Sequence, residues 1–254
     1  MKKVICMLMA LIILLSACGT AQSEPSTDTT HPPASEPTPA ISDSLFAESI
    51  PVVSETPFAE PTTSDEIQQS HILVAYFSRS GNTVWEEDVD AVASASINVQ
   101  ADGTFAGNAE LLAQMAQQTS GGDLFLIKTV ETYPSDYREA TDQAKVEQNN
   151  DARPALASHV ENMDGYDTVI LIYPNWWGTL PQPVMTFLDE YDFSGKTILP
   201  LCTHGGSRLG SSERKIAELC PGSQLLSGLE VRNSDSANAQ ADVETWIVNS
   251  GILE

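Results

Sequence analysis

Ile72-Leu73-Val74-Ala75-Tyr76-Phe77 runs directly into Ser78-Arg79-Ser80-Gly81-Asn82-Thr83. A short apolar run closed by a hydroxyl- and glycine-rich turn is how a buried parallel strand delivers its backbone to a phosphate. The turn amides point inward, the hydroxyls add donors, and a following helix N-terminus adds partial positive charge. One such loop says little. Two more, Tyr173-Pro174-Asn175-Trp176-Trp177-Gly178 and Thr203-His204-Gly205-Gly206-Ser207, also follow apolar runs and make the pattern a strong one.

Five apolar runs recur, at 72–77, 124–129, 168–173, 197–202 and 225–231. Helical spacing lies between and after them: Leu111, Leu112, Met115 and Ala116 share a face, as do Val184, Phe187 and Leu188. Ile216, Ala217 and Leu219 form a third face, and Val243, Trp246 and Ile247 a fourth. Near-continuous apolar strands alternating with amphipathic helices predict a parallel sheet covered on both faces. Pro200 sits awkwardly inside the fourth run, because proline gives no amide to a ladder. In such α/β sheets ligands sit beyond the carboxyl ends of the strands, at the topological switch point. The three loops follow the first, third and fourth runs, so they converge on one ligand site.

The Tyr-Pro-Asn-Trp-Trp and Thr-His-Gly-Gly-Ser loops resemble those of flavodoxin-like proteins, and the resemblance spans roughly 71 to 231. Tyr133-Pro134-Ser135-Asp136-Tyr137 and Ala152-Arg153-Pro154 add to it. It implies a five-stranded doubly wound sheet of order 2-1-3-4-5 that binds FMN without a covalent bond. Carried over, the first loop holds the phosphate, and the other two flank the isoalloxazine ring through Pro174, Asn175, Trp176, Trp177, Gly178, Thr203, His204, Gly205 and Gly206.

The first loop departs from the family pattern. After Gly81-Asn82-Thr83 the chain reads Val84-Trp85-Glu86-Glu87-Asp88-Val89-Asp90, and four acids there would repel a phosphate dianion. The amphipathic helix begins only after Gly107-Asn108-Ala109. Some family members split their phosphate loop around an insertion. That resemblance places Ser78, Arg79 and Ser80 in one half, Gly107 and Asn108 in the other, and an insertion at about 81–106 as a lid or partner surface. Ala109 then stands where the family carries threonine, with the loss of one donor. The contiguous alternative uses Gly81, Asn82 and Thr83.

Large aromatics in a loop need a reason. A planar heteroaromatic ligand gains stacking and burial from them, so one of Trp176 and Trp177 is expected to touch the flavin and the other to cap the core. Gly205 and Gly206 let the backbone pass close to the ring edge. His204 reads as a loop histidine whose backbone matters more than its imidazole, with proton donation to the flavin as the alternative. No metal-ligand spacing is visible.

The N-terminus reads as a leader. Lys2 and Lys3 precede an apolar run from Val4 to Leu15, then Leu15-Ser16-Ala17-Cys18 resembles the bacterial lipobox. The expected organisation is a signal peptide at 1–17, a tether at 18–70 lipidated on Cys18, and a domain at 71–254, outside the cytoplasm and held to the membrane only by the lipid. Residues 19–70 contain no Lys or Arg and abound in Pro, Ser and Thr, a composition that cannot offset its ordering entropy. Such a tether spans ~40 Å as a coil. The formal charge is −23, or −25 without Lys2 and Lys3, which argues against nucleic-acid or anionic-membrane adhesion. Cys202 and Cys220 read as buried small hydrophobes, since a helix between them should run back along its strand and part the thiols by more than ~7 Å, beyond disulfide reach.

Three functions fit these features. One is an FMN electron-transfer protein whose acidic surface docks an unknown redox partner. The second is an FMN-dependent NAD(P)H:quinone-type oxidoreductase, and the third a non-redox envelope module with an empty fold.

Overall fold

The computed structural model describes residues 71–85, 94–99 and 105–254. The leader, Cys18, the tether and half of the expected insertion, 86–93 and 100–104, lie outside these. The chain divides into two units, Met1–Pro61 and Thr62–Glu254, and all described residues belong to the second.

The strands are β1 (Ile72–Tyr76), β2 (Ile97–Val99), β3 (Phe105–Gly107), β4 (Asp123–Leu126), β5 (Thr168–Pro174), β6 (Thr197–His204), β7 (Gln224–Leu225) and β8 (Leu229–Arg232). The α-helices are α1 (Asn108–Ser120), α2 (Tyr137–Asn149), α3 (Gln182–Glu190), α4 (Ser212–Leu219) and α5 (Gln240–Ser250). The main sheet is parallel, in the order β4-β1-β5-β6-β7, with β8 also on β6. This is the 2-1-3-4-5 order with its fifth position shared by two short strands, so the sheet has six strands where the sequence suggested five. The break has a cause. Leu226 donates to the Ile198 carbonyl, so by the two-residue period Pro200 also faces this edge, where it has no amide to give. Gly228 fills the gap: a Cβ there would lie 3.0 Å from the Pro200 carbonyl oxygen.

Alternation along the central strands splits the core in two. Leu73, Ala75 and Phe77 join Val169, Leu171 and Tyr173 under α3 and α4, with Val184, Phe187 and Ile216. Val74, Ile170, Ile172 and Leu199 face α1 and α5, with Leu112, Ala116, Val243 and Ile247. Edge strand β4 is half-exposed, and it ends at Leu126, short of the expected 129. Helix α2 was not foreseen, because only Ala140 and Ala144 of it are buried. Its start is nonetheless written in the sequence: Asp136 caps it by accepting from the Glu139 amide at 2.8 Å. The short antiparallel pair of β2 and β3, within the expected insertion, also escaped the period-two reading.

Cys202 and Cys220 are free and buried. Burial pushes both thiols up, Cys220 to about 12 and Cys202 further. Neither is therefore a thiolate at neutral pH. The expected result is that iodoacetamide leaves both unmodified in the folded protein and modifies both in guanidinium, read by peptide mass. Rapid native labelling of either would contradict this burial.

Candidate functional site

The site grows from the end of β1. The Phe77 amide still bonds the Ile172 carbonyl at 2.9 Å, after which the chain turns through a short 3-10 segment at Ser80–Asn82. Asn82 points inward. Its amide donates to the carbonyls of Ser78 (2.9 Å) and Ile127 (3.0 Å), and its oxygen accepts from the Thr129 amide (2.7 Å) and hydroxyl (3.0 Å). Thr83 bridges Tyr133 in the body of the domain. Thus Asn82 by its side chain and Thr83 by its backbone, both residues of the contiguous phosphate loop and expected to open the insertion, hold the loop against the β4–α2 connection, while the buried Thr83 hydroxyl has no partner among the described residues.

Arg79 is buried. One guanidinium nitrogen donates to the carbonyls of Pro134 (2.9 Å), Ser135 (2.5 Å) and Asp136 (3.2 Å), and the group lies 5.2 Å from the Trp85 ring centre. Burial lowers its pKa and Asp136 opposes that shift. Its Nε has no partner among the described residues.

Gly107 caps α1 and lies against the first loop: a Cβ on it would stand 1.9 Å from Ser78 Oγ. The two halves of the split loop, Ser78-Arg79-Ser80 and Gly107-Asn108, are therefore in contact. At their joint the buried Ser78 Oγ and Asn108 Oδ1 have no hydrogen-bond partner among the described residues.

One element of the site was missed. Ser94-Ala95-Ser96 crosses the joint. Asn108 Nδ2 donates to the carbonyls of Ser94 (2.8 Å) and Ala95 (3.2 Å), and its backbone amide donates to Ser96 (3.0 Å). The Thr203 hydroxyl donates to the Ala95 carbonyl at 2.6 Å, and Trp176 Nε1 to Ser96 Oγ at 2.8 Å. The sequence signal at 94–96 is too slight to find: two serines and an alanine after an acidic run.

The two tryptophans part company. Trp176 stands edge-on to Phe77 (5.2 Å) and Tyr133 (5.1 Å), against the core. Trp177 is 52% exposed and takes a left-handed backbone (φ 53°). Its indole donates to the Thr141 carbonyl at 3.0 Å, and Lys145 sits 5.0 Å from the ring centre. A bulky residue held at positive φ is strained, a state that persists where surrounding contacts enforce it. Asn175 helps to enforce it by accepting from the Gly178 amide (2.8 Å) and donating to the Arg208 carbonyl (2.7 Å).

Between these pieces lies a cavity of about 390 Å³, walled by Arg79, the 94–96 segment, Asn175, Trp176, Trp177 and the Tyr137–Ala144 face of α2. It stands at the carboxyl ends of the strands, where β1 is flanked by β4 on one side and β5 on the other. Pro174, Thr203 and His204, expected in loops, are the last residues of strands β5 and β6. His204, with Gly206, opens on a second, polar cavity of about 310 Å³ that includes Arg208, Glu230 and Arg232. Its Nδ1 accepts from the Gly206 amide (2.9 Å), so its Nε2 carries the hydrogen toward the Glu230 carboxylate. Gly205 has open space around it, and Gly206 sits at φ 142°. Among the described residues no cluster of His, Cys, Asp or Glu could hold a metal, and no helix is long and apolar enough to cross a membrane.

A doubly wound parallel sheet with an aromatic-walled cavity at its switch point defines a class, the α/β proteins that take ligands beyond their strand ends. The particular family follows from comparison. The model describing flavodoxins matches residues 97–250, more than half of the chain, and the chain belongs to that family. A candidate flavoprotein from Bacteroides eggerthii DSM 20697 is 27% identical, with a TM-score of 0.54 over 71% of this chain and 98% of its own. Another candidate flavoprotein, from Bacteroides uniformis ATCC 8492, is 24% identical, with a TM-score of 0.54 over 71% of this chain and 99% of its own. A flavoprotein from Lactobacillus acidophilus NCFM, solved in complex with FMN, is 19% identical with a TM-score of 0.45, over 67% of this chain and 97% of its own. No curated protein matches the chain.

Proposed function

We propose that this chain is an FMN-binding redox protein, tethered to the outer side of a membrane by a lipid on Cys18, that exchanges electrons with a partner protein or quinone. The observation that carries the flavin reading is the cavity between Trp176, Trp177 and α2, set beside the joint of the first loop and the N-terminus of α1, where the buried Ser78 hydroxyl has no partner among the described residues. Apolar and aromatic walls suit a planar heteroaromatic ring, and neutral donors with a helix N-terminus suit a phosphate. The residues present fit FMN: Ser78, Gly107 and Asn108 would hold its phosphate, and Asn175, Trp176 and Trp177 its ring. Bound there, a flavin supplies reversible uptake and release of electrons. The chain's own contribution is to bind, to orient and to exclude water with the two indoles. The acidic composition, 35 Asp and Glu against 12 Lys and Arg, supports docking to a basic partner. The Lys2–Cys18 pattern supports the anchor.

The test is direct. Full-length protein purified with FMN is expected to be yellow, to quench flavin fluorescence, and to bleach reversibly with dithionite. Protein that takes up neither FMN nor riboflavin would instead be an envelope module with an empty fold. Within the cavity, Trp177→Ala is expected to weaken FMN binding by about 1–2 kcal/mol with little change in stability, since its ring is half-exposed. Equal FMN affinity in that variant and the parent protein, by fluorescence titration, would remove Trp177 from the site.

A further inference from the structure

Beside the unpartnered Ser78 hydroxyl, two buried donors that could reach a phosphate are already taken by the chain itself. Asn108 Nδ2, on α1, and Thr203 Oγ1, at the end of β6, converge on a single oxygen, the Ala95 carbonyl, at 3.2 and 2.6 Å. Asn108 also bonds the carbonyls on either side, Ser94 and Ser96. Three consecutive main-chain oxygens thus sit on donors from two elements, as the oxygens of a phosphate would. Asn108 and Thr203 are fully buried, while Ser94 and Ala95 are half-exposed.

We propose that Ser94–Ser96 is an internal competitor for the flavin site, and that the phosphate of FMN binds by displacing it. This rests on the flavin reading above. The exchange is physically reasonable. Hydrogen bonds to an ionised phosphate are roughly twice as strong as those to a neutral carbonyl. The half-exposed carbonyls that are released meet water, so little desolvation cost remains with them. The displaced stretch ends at Ile97, which is buried and paired with Gly107. Two side-chain bonds hold the segment without using a phosphate donor, Trp176 Nε1 to Ser96 Oγ and the Ser96 amide to Ser94 Oγ at 3.2 Å, beside the backbone bond from the Ser94 amide to the Ile97 carbonyl at 3.2 Å. Flavin affinity is therefore set by the difference between two occupants of one cradle.

The experiment measures FMN and riboflavin affinity of the full chain and of a Ser94→Ala/Ser96→Ala double variant by fluorescence quenching. Hydrogen exchange across residues 94–98 of the parent protein accompanies it, with and without each flavin. Loosening the segment is expected to tighten FMN at least fivefold and to speed its association. In the parent protein FMN raises exchange at 94–98 and riboflavin does not. A parent protein that stays empty while the double variant fills would also support the proposal. If FMN binds and leaves 94–98 equally or better protected, the segment is a wall of the site and the proposal falls while the flavin reading stands. Weaker FMN binding in the double variant, or equal displacement by riboflavin, overturns it likewise. If neither protein binds any flavin, the flavin reading fails and takes the proposal with it. The exchange measurement needs no variant, so poor folding of the double variant leaves the test intact.

Discussion

Asn82→Ala lowers the free energy of unfolding by about 3–4 kcal/mol, the largest stability effect expected of a single side chain in the loop after β1. The side chain makes four hydrogen bonds within the protein and is 1% exposed. Alanine removes all four and leaves the Ser78 and Ile127 carbonyls and the Thr129 amide facing a small cavity. The Thr129 hydroxyl is spared, because its single proton, shared between Asn82 Oδ1 and the Glu131 carbonyl 2.6 Å away, turns wholly to the latter. For a domain of this size the loss lowers Tm by roughly 10 °C. Asn82→Asp does no better, since a carboxylate accepts from Thr129 but cannot donate to the two carbonyls and buries a charge. An unfolding free energy from denaturant titration within about 1 kcal/mol of the parent value would show that this network is solvated.

Gly107→Ala abolishes FMN binding within the range of a fluorescence titration, a loss of at least about 100-fold. The added methyl would lie 1.9 Å from Ser78 Oγ and 3.1 Å from Ser80 Cβ, so the joint between the first loop and α1 must open. Overpacking of this kind also costs stability, about 1–3 kcal/mol. Thr83→Ala serves as the comparison. In the split arrangement it leaves FMN affinity nearly unchanged, whereas in the contiguous one the buried Thr83 hydroxyl, which has no partner among the described residues, is a phosphate donor whose loss weakens FMN. A dominant loss at Thr83, with Gly107→Ala binding normally, would return the phosphate to the contiguous loop.

Much of the fold could be read from period alone. Strands buried on both faces have to be apolar throughout, and runs such as Thr168–Tyr173 could hardly be anything else. Helix α2 was illegible for the opposite reason: it lies over the domain's outside, buries two alanines, and has no apolar stripe to betray it. Strand β8 and the gap before it depended on a missing proline amide, whose effect falls on a neighbouring strand nearly 30 residues away in sequence.

The candidate site was legible in its residue types and not in its pairings. Tryptophans in a loop declared an aromatic wall, while of the three strand-end loops expected at one site the third opens on a separate polar cavity through His204 and Gly206. Sequence could not say which indole would turn to the core. That was decided by Phe77 and Tyr133, which meet Trp176 only once β1 and β5 lie side by side. Likewise Arg79, which reads as a phosphate ligand, is drawn to three carbonyls around the start of α2.

By itself, then, the sequence determined the layered α/β architecture, and its loop motifs carried the family resemblance that implied the strand order. The layers follow from apolar periodicity, a local property of the chain, while the order of the strands came only with the resemblance. Only the tertiary structure decided that Ser94–Ser96 lies across the donors of Asn108 and Thr203. That arrangement joins residues over 100 positions apart, and it turns on which carbonyls reach a buried amide and hydroxyl first. Backbone oxygens are the same in every residue, so no side-chain pattern could have announced it.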